Sequence, residues 1–285
     1  MRPGTDPDGG SARDPRYGRA MPADPRDVLS RPAPAPDVTV SYGDHPDQLA
    51  DLRVPAGSGP ARPLVVVVHG GFWRAEYDRR HTDPLAAALA GLGHPVAQVE
   101  YRRTGQPGGG WPATLTDVLT GVTELPRLAA EALPGRVAAG PPLLVGHSAG
   151  GHLALYVAAT APDVVGGVLA LAPVSNLAEA YRLDLDEGAV AALLGGGPAD
   201  HPERYAAADP RSLVPIPTRT VVAHGSLDEQ VPVGMSREFV AAGRAAGGDV
   251  HLVELPECEH FGLIDPESAA WTQITAAFRS LRKDR

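Results

Sequence analysis

The chain has 285 residues, 43% of them hydrophobic and 21% charged, enough for one large domain with a full core. A net charge of −9 and a pI near 5.5 argue against nucleic acid or an anionic membrane as the main partner. No run of about twenty apolar residues offers a membrane-spanning helix, and a single cysteine, Cys258, excludes an internal disulfide and a multi-cysteine metal site.

Residues 1–36 are rich in Pro, Gly and alternating charge and are expected to form a disordered tail with nothing to bury. A start upstream of the true one at Met21 and a regulatory arm are both compatible with that composition. The first residues lack the apolar core of a signal peptide, so a cytoplasmic location is the default expectation.

"DVTVSYG" (37–43) and "LADLRVP" (49–55) predict an edge hairpin. "PLVVVVH" (63–69) is apolar on both faces, the mark of a central strand covered on both sides. "DPLAAALAGLG" (83–93) predicts a helix capped by Asp83, with Pro84 in its first turn and glycines at its end. "HPVAQVEYR" (94–102) is a second inner strand, and 113–133 a helix that Pro126 is expected to kink or split.

"PPLLVGHS" (141–148) and "VVGGVLALAP" (164–173) are inner strands around the helix "AGGHLALYVAAT" (149–160). "RTVVAHGS" (219–226) and "DVHLVELP" (249–256) flank the helix "SREFVAAGRAA" (236–246). A last helix is expected to begin at Asp265–Pro266 and to place Trp271, Ile274, Phe278 and Leu281 on one face. The alternation predicts an α/β fold, a mostly parallel sheet with helices on both faces. Residues 174–213 break the rhythm and are expected to form a small lid over the C-terminal ends of the strands, where open α/β sheets bind ligands.

"GHSAGG" (146–151) contains G-x-S-x-G in a strand–turn–helix setting. Such a turn strains the serine backbone, and glycines two positions away leave room for neighbouring chain. Ser148 is therefore the expected nucleophile. A serine hydroxyl needs a base, and His260, in the loop after "HLVELP", is the best placed of the histidines. His251, His152, His147 and His69 fit packing or hydrogen-bonding roles better. A carboxylate must orient the base. Asp228 fits, just after "VVAHGSL", with Asp200, Asp209 and Glu229 as alternatives. The order Ser148, Asp228, His260 is that of the G-x-S-x-G hydrolase template.

Acyl transfer also needs backbone donors aimed at the developing oxyanion. A strand that stops at "HGGFW" lets main chain approach a ligand. Gly70, Gly71 and, less directly, Phe72 are expected to supply donors beside the amide of Ala149.

On "VVVVHGGFWR", "VEYRR", "WPATLTDV", "GHSAGGHLA", "HGSLDEQVP" and "EHFGLID", residues 38–282 resemble the α/β-hydrolase superfamily. The nearer branch holds hormone-sensitive-lipase-type carboxylesterases, acetyl and feruloyl esterases, and kynurenine formamidases. Esterases of that branch usually show H-G-G-G-W. Phe72 replaces the third glycine here, which leans toward formamidases.

The resemblance implies a serine hydrolase without metal or other cofactor, acting on a small-molecule ester or aryl formamide. Trp73, Tyr101 and Trp111, after strand ends, are placed to flank an aromatic group or to anchor loops. Tyr205 is placed to line a pocket or to pack the lid. An exopeptidase and a non-catalytic binding protein on the same scaffold are the competing functions, and the oligomeric state is open.

Overall fold

The computed structural model describes residues 24–282. Its centre is an eight-stranded sheet in the order β1-β2-β4-β3-β5-β6-β7-β8. The hairpin is β1 (Val38–Ser41) and β2 (Leu49–Arg53), antiparallel and at one edge. β3 (Val65–Val68) runs parallel to β4 (Val96–Val99) and to β5 (Leu143–His147). β6 (Gly167–Leu171), β7 (Thr220–Gly225) and β8 (Val250–Leu255) continue the parallel series.

The unbroken valines of β3 serve two cores at once. Successive side chains in a strand point to opposite faces. Val66 and Val68 pack with α2 (Ala113–Ala132), α3 (Ala149–Thr160) and α7 (Val233–Ala245). Val65 and Val67 pack with α1 (Asp83–Gly91) and α8 (Trp271–Arg279). Fully burying one such side chain contributes roughly 1.5–3 kcal/mol, so a period-2 arrangement of β-branched residues gives both layers a share.

Four sequence expectations need correction. α2 is unbroken through Pro126. Its buried stripe of Val118, Val122, Leu125 and Ala129 continues on both sides of the proline, and that packing outweighs one lost hydrogen bond. Asp83 does not cap α1; its carboxylate takes Arg53 Nη2 at 2.7 Å and Gln98 Nε2 at 3.0 Å. α8 begins only at Trp271; Asp265 instead caps a turn, accepting the Glu267 amide at 2.8 Å, and pairs with Arg31. Ile274, Phe278 and Leu281 are buried along α8 and its end.

The fourth correction concerns the N-terminal segment. Residues 1–23 of the expected tail lie outside the described residues. Residues 24–36 are part of the fold. Pro25–Ser30 form a 3-10 helix whose first amides are capped by Asp24. Val28, 1% exposed, is a member of the second core. Arg31 Nη2 meets Asp265 Oδ2 at 3.0 Å. The Asp-Pro pair at 24–25 is a helix-start signal, and composition masked it.

Residues 174–213 fold as three short helices, α4 (Leu177–Arg182), α5 (Ala189–Leu194) and α6 (Pro202–Ala208), whose apolar sides join the first core. Buried Asp209 stitches the ends of the insertion by accepting the Arg211 amide at 3.0 Å and the Ala178 amide at 3.4 Å. An ion pair from Arg74 to Asp186 ties the insertion to the loop after β3. Among the described residues, no helix is long and apolar enough to cross a membrane.

Candidate active site

β5 ends in a turn that only this residue pattern permits. Ser148 sits at φ 57° and ψ −118°, a left-handed conformation that costs a non-glycine residue about 1–3 kcal/mol. The turn is held by its surroundings. Ser148 donates its amide to Leu171 O at 2.8 Å, and its carbonyl accepts from His152 at 3.1 Å and Val174 at 3.3 Å. A Cβ at Gly146 would lie 2.3 Å from Gly150 O, and one at Gly150 would lie 2.0 Å from Val68 O. Both glycines are therefore steric requirements.

The turn after β7 and the loop after β8 bring Asp228 and His260 together. His260 Nδ1 lies 2.6 Å from Asp228 Oδ2. The other carboxylate oxygen accepts the amides of Gln230 and Val231, each at 2.8 Å. His224 Nε2 adds a contact to Oδ2 at 3.2 Å. Burial alone would raise the Asp228 pKa, but hydrogen bonds from His224 and His260 hold it well below the usual carboxylate range. Asp228 is thus an acceptor only, and His260 donates from Nδ1, which leaves Nε2 free to take a proton.

The loop carrying His260 is itself fixed. Glu259 accepts the amides of Phe261 at 2.7 Å and Gly262 at 2.6 Å. His147 Nε2 meets His260 O at 3.1 Å. Burial keeps the His147 pKa well below its ordinary value, so His147 is a neutral brace. Ser148 and His260 line one cavity of about 390 Å³, with no hydrogen bond yet joining them. Catalytic hydrogen bonds often tighten only when substrate arrives. Of the alternative carboxylates, Asp209 stitches the insertion, Asp200 accepts the Gly197 amide at 3.2 Å, and Glu229 makes no hydrogen bond or ion pair to His260 among the described residues.

The "HGGFW" loop forms the facing wall. Gly71, Phe72 and Trp73 have φ of 95°, 46° and 60°, three successive left-handed residues in a tight turn, and successive backbone N–H groups in a turn make a concave anion-binding nest. A Cβ on Gly70 would lie 3.1 Å from Ser148 Cβ, and one on Gly71 would lie 2.4 Å from Tyr77 Cβ. Among the described residues the amides of Gly71 and Phe72 donate no hydrogen bond. Ala149 opens α3, where a helix offers its first amide no acceptor.

Buried charge beneath the loop holds its shape. Glu100 Oε1 meets His69 Nε2 at 2.9 Å and accepts the Tyr101 amide at 3.0 Å, and Oε2 accepts the Arg79 amide at 3.0 Å. His69 Nδ1 lies 2.8 Å from Gly70 O, and the Tyr101 hydroxyl donates to His69 O at 2.9 Å. Burial pushes the Glu100 pKa up, yet His69 and Arg103 outweigh it and bring the group down to about 2.

A carboxylate whose folded pKa is depressed stabilises the fold above its unfolded pKa and loses that contribution as pH falls. Here the window runs from roughly pH 4.5 down to 2, worth on the order of 3 kcal/mol. Glu100→Gln is expected to cost about 3–5 kcal/mol at pH 7, since it strips a buried partner. It should also flatten the loss of stability on acidification. Urea unfolding at pH 7 and pH 3 checks both; equal acid losses in the two proteins would contradict the assignment.

The expected aromatic pocket residues do not line the cavity. Trp73 is fully buried and donates Nε1 to His152 Nδ1 at 3.2 Å, while His152 Nε2 meets Ala208 O at 3.0 Å. Tyr101 is fully buried, stacked 4.3 Å from His69. Trp111 packs on the first core and donates its amide to Leu193 O at 2.8 Å. Tyr205 packs the insertion, its hydroxyl 3.1 Å from Gly196 O.

The aromatic wall is Phe72, Tyr77 and Phe261, joined by His81, Gln230, Asp186 and, from the N-terminal segment, Arg26 and Leu29. Tyr77 and Phe261 stand next to recognisable motifs but carry no periodicity of their own. Arg26 and Leu29 were hidden by the tail-like composition around them. Among the described residues no cluster of His, Cys, Asp and Glu could hold a metal ion.

Comparison with known proteins follows the same lines. The BD-FAE family model matches residues 50–242. Esterase LipQ of Mycobacterium tuberculosis is 28% identical over 239 residues, 75% of this chain, but the chain spans only 54% of LipQ. Kynurenine formamidase of Danio rerio is 25% identical, with 79% of this chain and 75% of that protein covered. A truncated carbohydrate esterase from gut microbiota superposes with a TM-score of 0.75 at 18% identity, over 87% of this chain and 97% of that one. Esterase B of Lactobacillus rhamnosis, solved with a tributyrin phosphonate inhibitor, gives 0.73 at 20% identity over 90% and 89%.

Proposed function

The chain belongs to the BD-FAE family and has the α/β-hydrolase fold, and on that footing we propose that it is a serine hydrolase cleaving a small carboxylic ester or an aryl formamide. Ser148 attacks the carbonyl carbon while His260 Nε2 takes the hydroxyl proton. Asp228 holds the imidazole with Nε2 unprotonated and stabilises the cation that forms. The amides of Gly70, Gly71, Phe72 and Ala149 supply the donors that receive the oxyanion. His260 then protonates the leaving oxygen or nitrogen, an acyl-enzyme remains on Ser148, and water enters by the same route in reverse.

One observation carries this reading: the Asp228–His260 pair at 2.6 Å opens onto the cavity that Ser148 also lines. A volume of about 390 Å³ suits a small ligand. Phe72, Tyr77 and Phe261 give it an aromatic wall, which favours an aryl group in the substrate. The 25% identity to a kynurenine formamidase keeps the formamide beside the ester.

The test is a parallel assay of 4-nitrophenyl acetate, an acetylated sugar and N-formylkynurenine with the full chain. Saturable turnover of at least one is expected. Failure on all three, with the protein folded, would favour the non-catalytic binding protein.

A further inference from the structure

The cavity is not electrically neutral, and its charge comes from outside the hydrolase motifs. Arg26 is the exposed cation of the N-terminal 3-10 helix, and it lines the same cavity as Ser148 and His260. No carboxylate among the described residues pairs with it. The other charged side chain of the wall, Asp186, is tied to Arg74; Asp228 is off the wall, paired with His260. His81 and His147 are held neutral by burial, His81 with its pKa lowered to about 3. Among the described residues, Arg26 is therefore the one cation of the cavity wall without a carboxylate partner.

Its position is set by real packing. Val28, two residues on, is in the core, and Arg31 is paired with Asp265. The Arg26 guanidinium carbon lies 5.8 Å from the centre of the Phe261 ring, and that ring lies 5.2 Å from the ring of His260. An adjoining groove shares Arg26, Gln230, His260 and Phe261 with the cavity and carries Asp24, Glu229 and Glu259, carboxylates that disfavour an anion there. In a chain of net charge −9, such a local cation favours the entry of an anionic substrate.

We propose that Arg26 recognises a carboxylate on the leaving-group half of the substrate, so that the preferred substrates are esters or amides of an anionic aryl alcohol or amine. His260 gives its proton to the leaving atom, so the leaving group lies on the His260 side. Phe261 and Arg26 stand on that side, the ring for the aryl face and the guanidinium for the carboxylate. The inference rests on the hydrolase reading above, and it makes the N-terminal segment a specificity element.

The test compares 4-carboxyphenyl acetate with its neutral methyl ester, methyl 4-acetoxybenzoate, on the full chain. For Arg26→Gln, the ratio of kcat/KM for the anionic over the neutral ester is expected to fall about tenfold, mostly through KM. Arg26→Lys should keep most of the preference and Arg26→Glu should reverse it. Circular dichroism confirms that the exposed substitution leaves the fold intact. A fall of threefold or more in Arg26→Gln supports the assignment, and a smaller change overturns it. If neither ester is cleaved faster than by Ser148→Ala and the three substrates of the parallel assay are not turned over either, the hydrolase reading itself fails and takes this inference with it; turnover of one of those three without either ester overturns the Arg26 assignment alone. Cleavage of both with an unmoved ratio sinks the Arg26 assignment alone.

Discussion

Asp228→Asn is expected to lower kcat about 10⁴-fold with little change in overall fold. The reason lies in hydrogen-bond direction. Asp228 accepts from the Gln230 and Val231 amides at one oxygen and from His260 Nδ1 at the other. An asparagine keeps the backbone pair through its carbonyl oxygen, because those partners only donate. Its NH₂ group then replaces Oδ2, losing the 3.2 Å contact from His224 Nε2, and, facing His260, needs an acceptor at Nδ1. The imidazole proton moves to Nε2, the nitrogen meant to receive the serine proton, and general-base catalysis stops. KM should shift by far less, since the side chain is fully buried and lines no part of the cavity. Steady-state kinetics on a 4-nitrophenyl ester would show this; a loss under tenfold would mean that His260 is oriented by something else.

Ser148→Ala is expected to reduce kcat by about 10⁴- to 10⁶-fold. The strained φ of 57° is imposed by the Leu171, His152 and Val174 hydrogen bonds and by the glycines around it, none of which involve the hydroxyl. Alanine meets the same backbone cost and should occupy the same turn, so the thermal midpoint should stay within a few degrees. The residual rate would come from binding and the amide cradle alone. A variant that kept more than about a hundredth of the activity would place the nucleophile elsewhere.

Much of this site is legible before any coordinates. Four consecutive valines can only be a strand covered on both sides, and the paired cores on Val65/Val67 and Val66/Val68 follow from strand geometry. Gly70, Gly146 and Gly150 are steric necessities of main-chain segments crossing at close range, and glycine spacing records such crossings directly. The pairing of Asp228 with His260 is reachable because each follows a strand in a regular βα alternation.

What stays hidden is whatever depends on tertiary competition. Trp73, Tyr101 and Trp111 sit after strand ends just as a pocket residue would, but buried partners claim them. Tyr77 and Phe261 take the wall instead. Pro126 obeys its local rule poorly because the stripe around it is well packed. The segment at 24–31 sets Val28 and Leu29 among one proline, one serine and four charged residues. Composition reads it as tail, while Val28 and the Arg31–Asp265 pair make it a wall of the site.

The central claim is that Ser148 is a nucleophile activated by His260. The most direct measurement is intact-protein and peptide mass spectrometry after treatment with a fluorophosphonate. The expected result is a single phosphonyl adduct on the peptide carrying Ser148, blocked in Asp228→Asn and absent in Ser148→Ala. A folded wild-type protein that stays unmodified, or carries its adduct on another residue, would contradict it.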